Sequence, residues 1–375
     1  MIDGPRGAMP EELDEVCDLV GRVFNWTMRE SFPTLFCKEN VDNLRIIKAD
    51  DKIVSHFGFV VRDMIINGCR ISVGNVGAVG TDENYRKRGY AWSIMDDAMV
   101  KFRADGVDMF LVSGGRNLYI QHGCTNVGKV NSYAVNRGTP VPATKVESKP
   151  YTVDDLPAWS LLYRKEPVRF HRPYNDFLKL TTSGIVHRQN RSLRSIWSND
   201  QIVAYAVLDR HNREGVEFLN INEYAGSRKA ILGSIPQWFE EFNSHHCIVT
   251  IPAHDVEFRW LLDSTGLESW NGSTGGTITI INFPQICMRL MPLFEEIVGT
   301  PTAQRLSFTE RDGSCVIGLG GDEAVFNDAH DIARLIFGDP SGLEQPTKIP
   351  ADGKLLELIK AIFPVPRPEY GLSYI

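Results

Sequence analysis

The sequence lacks the marks of a secreted, membrane-spanning or disulfide-stabilised protein. No apolar run approaches the ~18 residues of a membrane span, and the opening residues, MIDGP, lack the basic and apolar regions of a signal peptide. Disulfide frameworks need paired spacing, whereas the seven cysteines are an odd number scattered along the chain. We therefore expect a cytoplasmic protein with reduced thiols and no membrane span. The cysteines are Cys17, Cys37, Cys69, Cys124, Cys247, Cys287 and Cys315.

An excess of positive charge is also missing. The chain has 40 Lys and Arg against 47 Asp and Glu, which gives a formal net charge of −7 over 375 residues. This balance argues against a general nucleic-acid binder and is compatible with a cationic small substrate. With 43% hydrophobic and 23% charged residues, the composition is that of a globular protein long enough for two or three domains.

Metal-site spacing is missing too. His245, His246 and Cys247 are adjacent, and adjacent residues of a strand point to opposite faces, so they do not converge on a zinc ion. The glycines at 318–321 end a hairpin rather than open a nucleotide-binding unit. The basic residues 86–88 are too few for a nucleic-acid patch. We expect no metal and no nucleic-acid partner.

What the sequence does contain is a strand, a basic turn and a helix from residue 76 onward. Ala91, Ile94, Met95 and Ala98 recur at the spacing of an amphipathic helix, so the turn before them lies at a helix N-terminus. Backbone N–H groups there lack internal acceptors and carry the positive end of the helix dipole, which suits a pyrophosphate. The residues suited to this anion are Arg86, Lys87, Arg88, Gly89, Tyr90 and Ala91.

The spacing Arg86-x-x-Gly89-x-Ala91 directly after a strand resembles the acetyl-CoA loop of the GNAT acetyltransferase superfamily, Arg/Gln-x-x-Gly-x-Gly/Ala. Downstream, Tyr119-x-x-His122-Gly123-Cys124 is similar to the Tyr-x-x-Phe-Gly-Phe/Tyr segment after the fifth strand of these enzymes. His122 and Cys124 stand where the family has aromatic residues. The alternative for residues 86–91 is a solvated basic turn at the start of an ordinary helix.

The resemblance implies that acetyl-CoA is the co-substrate. Backbone N–H groups near Val79 and Thr81 would bind pantetheine and the thioester oxygen, and residues 86–91 would receive the pyrophosphate. Ser93 and Asn117 would be secondary CoA contacts. Tyr119 would protonate the leaving thiolate; the alternative is an aromatic residue that only packs against a helix, with its hydroxyl satisfied.

Strands are predicted at 44–49, 53–61 and 70–79, joined by turns that include Asn67-Gly68, so a meander leads into the motif. The aromatic-rich stretch at 26–36 precedes these strands. In a GNAT fold this stretch covers the acceptor pocket, which makes Trp26 and Phe36 candidate substrate contacts. Core packing explains them equally well.

The rest of the chain predicts a duplication and a third domain. Residues 151–284 repeat the order of helix, meander, strand and helix, but the turn at 225–229 lacks the Arg-x-x-Gly-x-Ala spacing, so this copy should not hold CoA. From 285 the pattern predicts a short helix at 292–298, a hairpin over Asp312-Gly313 and a proline-stiffened, extended end.

This layout resembles the enhanced-intracellular-survival (Eis-type) acetyltransferases over essentially the whole chain. It implies a mixed α/β fold class with two tandem GNAT-like domains, the second degenerate, and a small sterol-carrier-like α+β domain. The expected divisions are a catalytic domain at 1–138, a linker at 139–150, the degenerate copy at 151–284 and the C-terminal domain at 285–375. The resemblance also implies a homo-oligomer, a hexamer, and a C-terminal carboxylate, on Ile375, that enters the active site.

Two groups compete for the role of general base: the Ile375 carboxylate and His56, a strand histidine that packing alone could also explain. The expected activity is acetyl transfer from acetyl-CoA to a primary amine of a small cationic molecule, or to a lysine, by direct attack in a ternary complex. Polyamine-like or aminoglycoside-like acceptors are implied only by the resemblance. The alternative is a non-catalytic acyl-CoA-responsive or lipid-binding protein. The acidic charge and the intact loop disfavour a third reading, tRNA-dependent peptidyl transfer.

Overall fold

A computed structural model describes residues 2–186, 189–213, 216–340 and 348–375. The strands are β1 (Ile2–Gly7), β2 (Leu44–Ala49), β3 (Lys52–Ile66), β4 (Cys69–Thr81), β5 (Met109–Val112), β6 (Val130–Asn136), β7 (Glu147–Pro150), β8 (Val168–Phe170), β9 (Ile185–Val186), β10 (Gln189–Asn190), β11 (Ser192–Ser198), β12 (Gln201–Arg213), β13 (Val216–Gly226), β14 (His246–Pro252), β15 (Ser269–Gly272), β16 (Thr277–Ile280), β17 (Leu306–Arg311), β18 (Ser314–Leu319) and β19 (Asp322–Phe326).

The α-helices are α1 (Leu13–Phe24), α2 (Met28–Ser31), α3 (Tyr90–Ala104), α4 (Asn117–Gln121), α5 (Leu156–Lys165), α6 (Tyr174–Ser183), α7 (Arg228–Glu241), α8 (Val256–Asp263), α9 (Phe283–Val298), α10 (Thr300–Ala303), α11 (Ala329–Phe337) and α12 (Gly353–Ile362). Two compact units result. Unit 1 contains residues 1–127, 275–365 and 375, and unit 2 contains 128–274 and 366–374.

The sheet of unit 1 has the order β1-β2-β3-β4-β5-β16. Strands β1 to β4 pair antiparallel, β4 and β5 pair in parallel, and β16 returns antiparallel to β5. The predicted Asn67-Gly68 turn is confirmed: both residues have positive φ, 46° and 88°, as hairpin turns of this kind require. The apolar stripe of α3, including Ile94 and Phe102, packs on the sheet in one buried core with Phe57 and Phe59 of β3.

Two irregularities in β4 position the candidate site. The pairing with β5 runs from Val73–Met109 to Val76–Val112, after which β4 continues alone on that side to Thr81. On its other edge the register with β3 shifts between His56 and Gly58, and Ala78 has a φ of 54°. A β-bulge therefore lies where the two parallel strands part.

The C-terminal part of unit 1 contains α9 to α12 and an antiparallel sheet of order β17-β18-β19. The prediction of a short helix at 292–298 was wrong, because α9 spans Phe283–Val298 and carries Pro292 in its interior. Proline at a first turn is common, which favoured the shorter helix. The real first turn holds Pro284, and the buried face from Phe283 to Phe294 offsets the ~3 kcal/mol cost of an internal proline.

The sheet of unit 2 has the order β15-β6-β14-β13-β12-β11-β7. It repeats the order of elements in unit 1: a meander, a helix (α7) and a strand (β14) parallel to the last strand of the meander. Its core gathers apolar residues of α7 and α8 onto the sheet, with Trp238 fully buried.

Unit 2 also holds the tail at 366–374. Arg172 makes a double ion pair with Glu223 at 2.6 and 2.7 Å, and its Nε donates to Ser373 at 3.0 Å. The second Glu223 oxygen accepts the Leu372 N–H at 2.7 Å. Arg172 and Glu223 are buried, and charge-assisted bonds of this kind are strong when fully satisfied.

Candidate active site

The basic turn at 86–91 has the form of an anion site. Gly89 has a φ of 81° and caps α3 without a side-chain hydrogen bond. Its carbonyl accepts the N–H groups of Trp92 and Ser93 at 3.0 Å, while the N–H groups of Tyr90 and Ala91 have no acceptor among the described residues. A Cβ built on Gly89 would meet nothing within 4 Å, so the approach to these groups is open.

Three exposed cations surround this helix terminus. Arg86 Nε donates to the Thr81 carbonyl at 3.2 Å, and Arg88 donates to the Asn84 carbonyl at 3.2 Å while stacking over Tyr85. Within the described ranges neither arginine, nor Lys87, takes part in an ion pair. Unpaired cations beside free helical N–H groups attract a polyphosphate.

The bulge at Ala78 is held by His56. The imidazole Nδ1 lies 2.7 Å from the Ala78 carbonyl oxygen, and since a carbonyl only accepts, Nδ1 carries the hydrogen. Burial lowers the pKa of His56 to about 4, so the ring is neutral at neutral pH. Nearby, Ser55 and Thr81 share a hydroxyl hydrogen bond of 2.8 Å across β3 and β4.

The C-terminal carboxylate lies beside this bulge. A Cβ built on Gly77 would sit 2.6 Å from the Ile375 carboxyl carbon, and one built on Gly58 would sit 2.7 Å from Cε1 of His56. Gly58 and Gly77 are direct partners across β3 and β4, so their missing side chains lie on one face of the sheet. The two base candidates thus lie against two glycines that face each other across β3 and β4.

Tyr119 lies on α4, the short helix after β5. Its side chain is 4% exposed and joins the core under α3. Burial raises the pKa of this phenol to about 12, so it remains protonated at neutral pH. No hydrogen-bond partner of its hydroxyl is recorded in the described part of the chain. Asn117 begins the same helix and is exposed.

His122, which stands at a position of aromatic residues in the resembled family, links α4 to α3. Its Nε2 lies 3.0 Å from the Asp96 carboxylate and its Nδ1 lies 2.7 Å from the Leu118 carbonyl. The Trp92 ring packs on it at a centroid distance of 4.9 Å. Sequence reasoning missed Asp96, because a single exposed acid on a helix gives no signal until its partner is known.

The residues predicted to contact the substrate lie in different surroundings. Phe36 is buried and its ring centroid lies 6.0 Å from that of His56, so these two come together. Trp26 follows α1, is 36% exposed, and donates its indole N–H to Ser31 at 2.7 Å.

The corresponding region of unit 2 differs in its ion pairs and in its helix terminus. Pairing of β13 and β14 ends at Ile221–Val249. Beyond it Arg228 bonds Glu166 at 2.6 and 2.7 Å and Asp255 at 3.0 Å. The start of α7 is capped by the hydroxyl of Ser227, which accepts the Ala230 N–H. The helix terminus of α7 is therefore capped by the protein itself, and its arginine is engaged in ion pairs.

The described ranges contain neither a cluster of metal-ligating side chains nor a membrane-spanning helix. The His, Cys, Asp and Glu side chains found there do not gather in groups of three or more around a point where a metal ion could sit. The helices found there are all too short or too polar to cross a bilayer.

Comparison with known proteins agrees with this geometry. Residues 5–124 match the family model of the acetyltransferase (GNAT) domain. A search of curated protein sequences gave no significant match.

Three solved structures are similar over almost their whole length. A GCN5-related N-acetyltransferase from Anabaena variabilis has a TM-score of 0.69 at 13% identity, covering 98% of this chain and 99% of that one. A probable N-acyltransferase from Enterococcus faecalis gives 0.66 at 13% identity, covering 98% and 99%. Eis1 from Mycobacterium abscessus gives 0.66 at 9% identity, covering 100% of both chains. These likenesses establish the fold: mixed α/β, with GNAT-like units in tandem.

Proposed function

We propose that the protein is an acetyl-CoA-dependent N-acetyltransferase whose acceptor is a primary amine of a small cationic molecule, or a lysine. The observation that carries the proposal is the open helix terminus of α3 with its three unpaired cations, directly after the point where β4 and β5 part. The family match at 5–124, which spans both features, supports it.

In the proposed complex, residues 86–91 bind the pyrophosphate, and Ser93 and Asn117 are secondary contacts. Pantetheine enters the gap beside β4, where backbone N–H groups near Val79 and Thr81 face the thioester. A hydrogen bond from such a group stabilises the negative charge that develops on the carbonyl oxygen.

The amine nitrogen then attacks the thioester carbon, the carbon–sulfur bond breaks, and CoA leaves as a thiolate. The amine loses a proton to a base, and the thiolate gains one from Tyr119. Burial keeps the Tyr119 phenol protonated at neutral pH, so it carries the proton that this role requires.

The Ile375 carboxylate is the better proposal for the base. His56 is fully buried with a pKa of about 4, and its Nδ1–H is committed to Ala78. Protonation of this ring would create a buried positive charge, which its burial disfavours. A carboxylate beside Gly77 also attracts a cationic acceptor, and Trp26, Phe36 and His56 are the proposed lining of the acceptor pocket.

The second copy, the C-terminal domain, the location and the assembly are also matters of proposal. The missing Arg-x-x-Gly-x-Ala spacing and the capped helix α7 of unit 2 support a second, degenerate copy that binds no CoA. The helices and three-stranded sheet at 283–365 are compatible with a sterol-carrier-like domain. Divisions at 138, 150 and 284, a cytoplasmic location and a hexameric assembly stay predictions.

A screen tests the function. The protein is incubated with acetyl-CoA and a panel of polyamines, aminoglycosides, arylalkylamines and lysine peptides, and free CoA thiol is measured. At least one primary amine should release thiol well above the amine-free rate, and its N-acetyl product should appear by mass spectrometry. If acetyl-CoA binds but no amine on the panel is acetylated, the runner-up, a non-catalytic acyl-CoA-responsive or lipid-binding protein, is favoured instead.

A further inference from the structure

We propose that His56 is a positioning residue that aims the Val79 N–H at the thioester carbonyl, through its hydrogen bond to the Ala78 carbonyl. The inference rests on the proposed function, since it needs the acetyl group of acetyl-CoA in the gap beside β4. It adds a role that differs from the base and pocket roles considered for His56 above.

The bulge needs a side chain to hold it. Ala78 and Val79 together lie opposite Phe57, and Ala78 has a φ of 54°, a region that residues with a Cβ rarely occupy. The His56 Nδ1 contact of 2.7 Å with the Ala78 carbonyl fixes this conformation from a ring that is only 1% exposed.

Because the peptide group is planar, this contact also fixes the direction of a neighbouring N–H group. The Ala78 carbonyl and the Val79 N–H belong to one peptide group, and in a planar trans peptide they point in opposite directions. Because the carbonyl points at His56, the Val79 N–H points away from it. Any rotation of this plane would move donor and carbonyl together, so the hydrogen bond sets the aim of the donor.

Packing alone does not account for a histidine here. With Nδ1 protonated and the ring neutral, Nε2 is a buried acceptor, and no partner for it exists among the residues the structure describes. An unpaired buried polar atom destabilises a fold, so packing alone would favour a phenylalanine of similar volume. The atom that makes a histidine necessary at this position is Nδ1.

Three substitutions distinguish the effect of the hydrogen-bond donor from the effect of the ring volume. Asn places its amide Nδ2 about where Nδ1 lies, Phe keeps the ring volume without a donor, and Gln moves the donor one bond outward. With an amine found in the screen above, His56→Phe and His56→Gln should lower kcat about 10- to 100-fold, toward the loss seen when an oxyanion donor is removed. His56→Asn should keep kcat within about threefold of the parent. Calorimetric affinity for CoA, which lacks the acetyl carbonyl, should stay within about threefold in all three.

The matched control is His254→Phe, the same exchange at a half-buried histidine of unit 2 whose pKa burial also lowers. It should leave kcat and CoA affinity unchanged. If His56→Phe lowers the melting temperature too far for assay, the Asn and Gln pair decides. Equal losses in Asn and in Gln or Phe would overturn the proposal, because ring packing would then be the cause; so would a kcat of the parent's size in His56→Phe.

An amine-independent readout uses protein labelled with ¹⁵N-valine, with the Val79 amide identified by Val79→Ala. The Val79 signal should differ between the acetyl-CoA and the CoA complexes in the parent and in His56→Asn, and should not differ between them in His56→Phe. If acetyl-CoA binds and Val79 responds in His56→Phe as in the parent, this inference alone falls. If the parent binds neither acetyl-CoA nor CoA, the proposed function falls and takes this inference with it.

Discussion

At the scale of single residues, Tyr119 is a protonated phenol in an apolar setting. Its pKa of about 12 results from burial and keeps the acid form at all physiological pH values. We expect Tyr119→Phe to lower kcat by about 100-fold, within the range for loss of a general acid, because the thiolate must leave unprotonated. CoA affinity from calorimetry should not change. A kcat within threefold of the parent would assign the acid role elsewhere.

His56 gives a prediction about stability. Its folded-state pKa of about 4 lies below the ordinary value of 6.5 because burial disfavours the charged ring. Below pH 6.5 the unfolded chain binds a proton that the folded chain does not, so stability is complete above 6.5 and falls as the pH drops toward 4.

The difference between the two pKa values corresponds to about 3 kcal/mol of unfolding free energy over the whole titration. Between pH 7 and pH 5 the parent should lose about 2 kcal/mol of unfolding free energy more than His56→Phe does. Urea titrations of both proteins at the two pH values measure this. Equal pH dependence in parent and variant would show that His56 is not buried in its neutral form.

At the scale of elements, the start of α3 depends on one glycine. Gly89→Ala should weaken CoA binding at least tenfold, because the new Cβ enters the open approach to the Tyr90 and Ala91 N–H groups and the backbone conformation, with φ of 81°, becomes strained. Gly68→Ala is the control: this hairpin glycine has a φ of 88° and equally open surroundings. It should lose comparable stability, about 1 kcal/mol, with unchanged CoA affinity. Equal weakening in both variants would point to a general loss of stability.

The tail is an element that unit 2 holds by buried polar contacts. A Cβ at Gly371 would lie 1.8 Å from a Glu223 oxygen, so Gly371→Ala must disturb the ion pair with Arg172 and the bond to Leu372. Carboxypeptidase should then remove the last residues at least ten times faster than from the parent. Gly353→Ala, with a φ of 50° against 49° and no atom within 4 Å, serves as the control. An unchanged rate in Gly371→Ala would mean that the tail does not depend on this contact.

Removal of Ile375 tests whether the C-terminal carboxylate is the base. The shortened chain should keep its CoA affinity and lose at least tenfold in kcat, since the terminal carboxylate moves one residue away from Gly77. The loss should be steepest at neutral pH, where the acceptor amine is protonated and needs a base. Substituting Ile375→Val retains a terminal carboxylate at the same place and should keep activity. If both forms are equally active, the base is another group.

At the scale of the whole molecule, local signals predicted local structure well. The strand at 44–49 and the Asn67-Gly68 turn are confirmed, because a short apolar run and the chemistry of a turn are properties of neighbouring residues. Strands β6 and β16 are different. Each is a short strand of mixed polar and apolar residues. Strand β6 pairs with β14 and β16 pairs with β5, in both cases more than 100 residues away in the chain. Periodicity within a segment carries no information about such partners.

The candidate site shows the same limit. The helix-terminus turn could be predicted because its residues are contiguous. The bulge at Ala78 could not, since alanine has no preference for a positive φ and the hydrogen-bond partner of its carbonyl, His56, lies on another strand. Nor could the sequence indicate that His56 and Ile375, 319 positions apart, border the same paired glycines.

The central claim is that one acetyl-CoA binds per chain, at the start of α3. Isothermal titration of the full chain with acetyl-CoA, in parallel with Arg86→Ala, tests it most directly. We predict one site per chain, an affinity that falls with added salt because the contacts are ionic, and at least tenfold weaker binding in Arg86→Ala. Two sites per chain would contradict the assignment of unit 2, and no binding at millimolar acetyl-CoA would contradict the account as a whole.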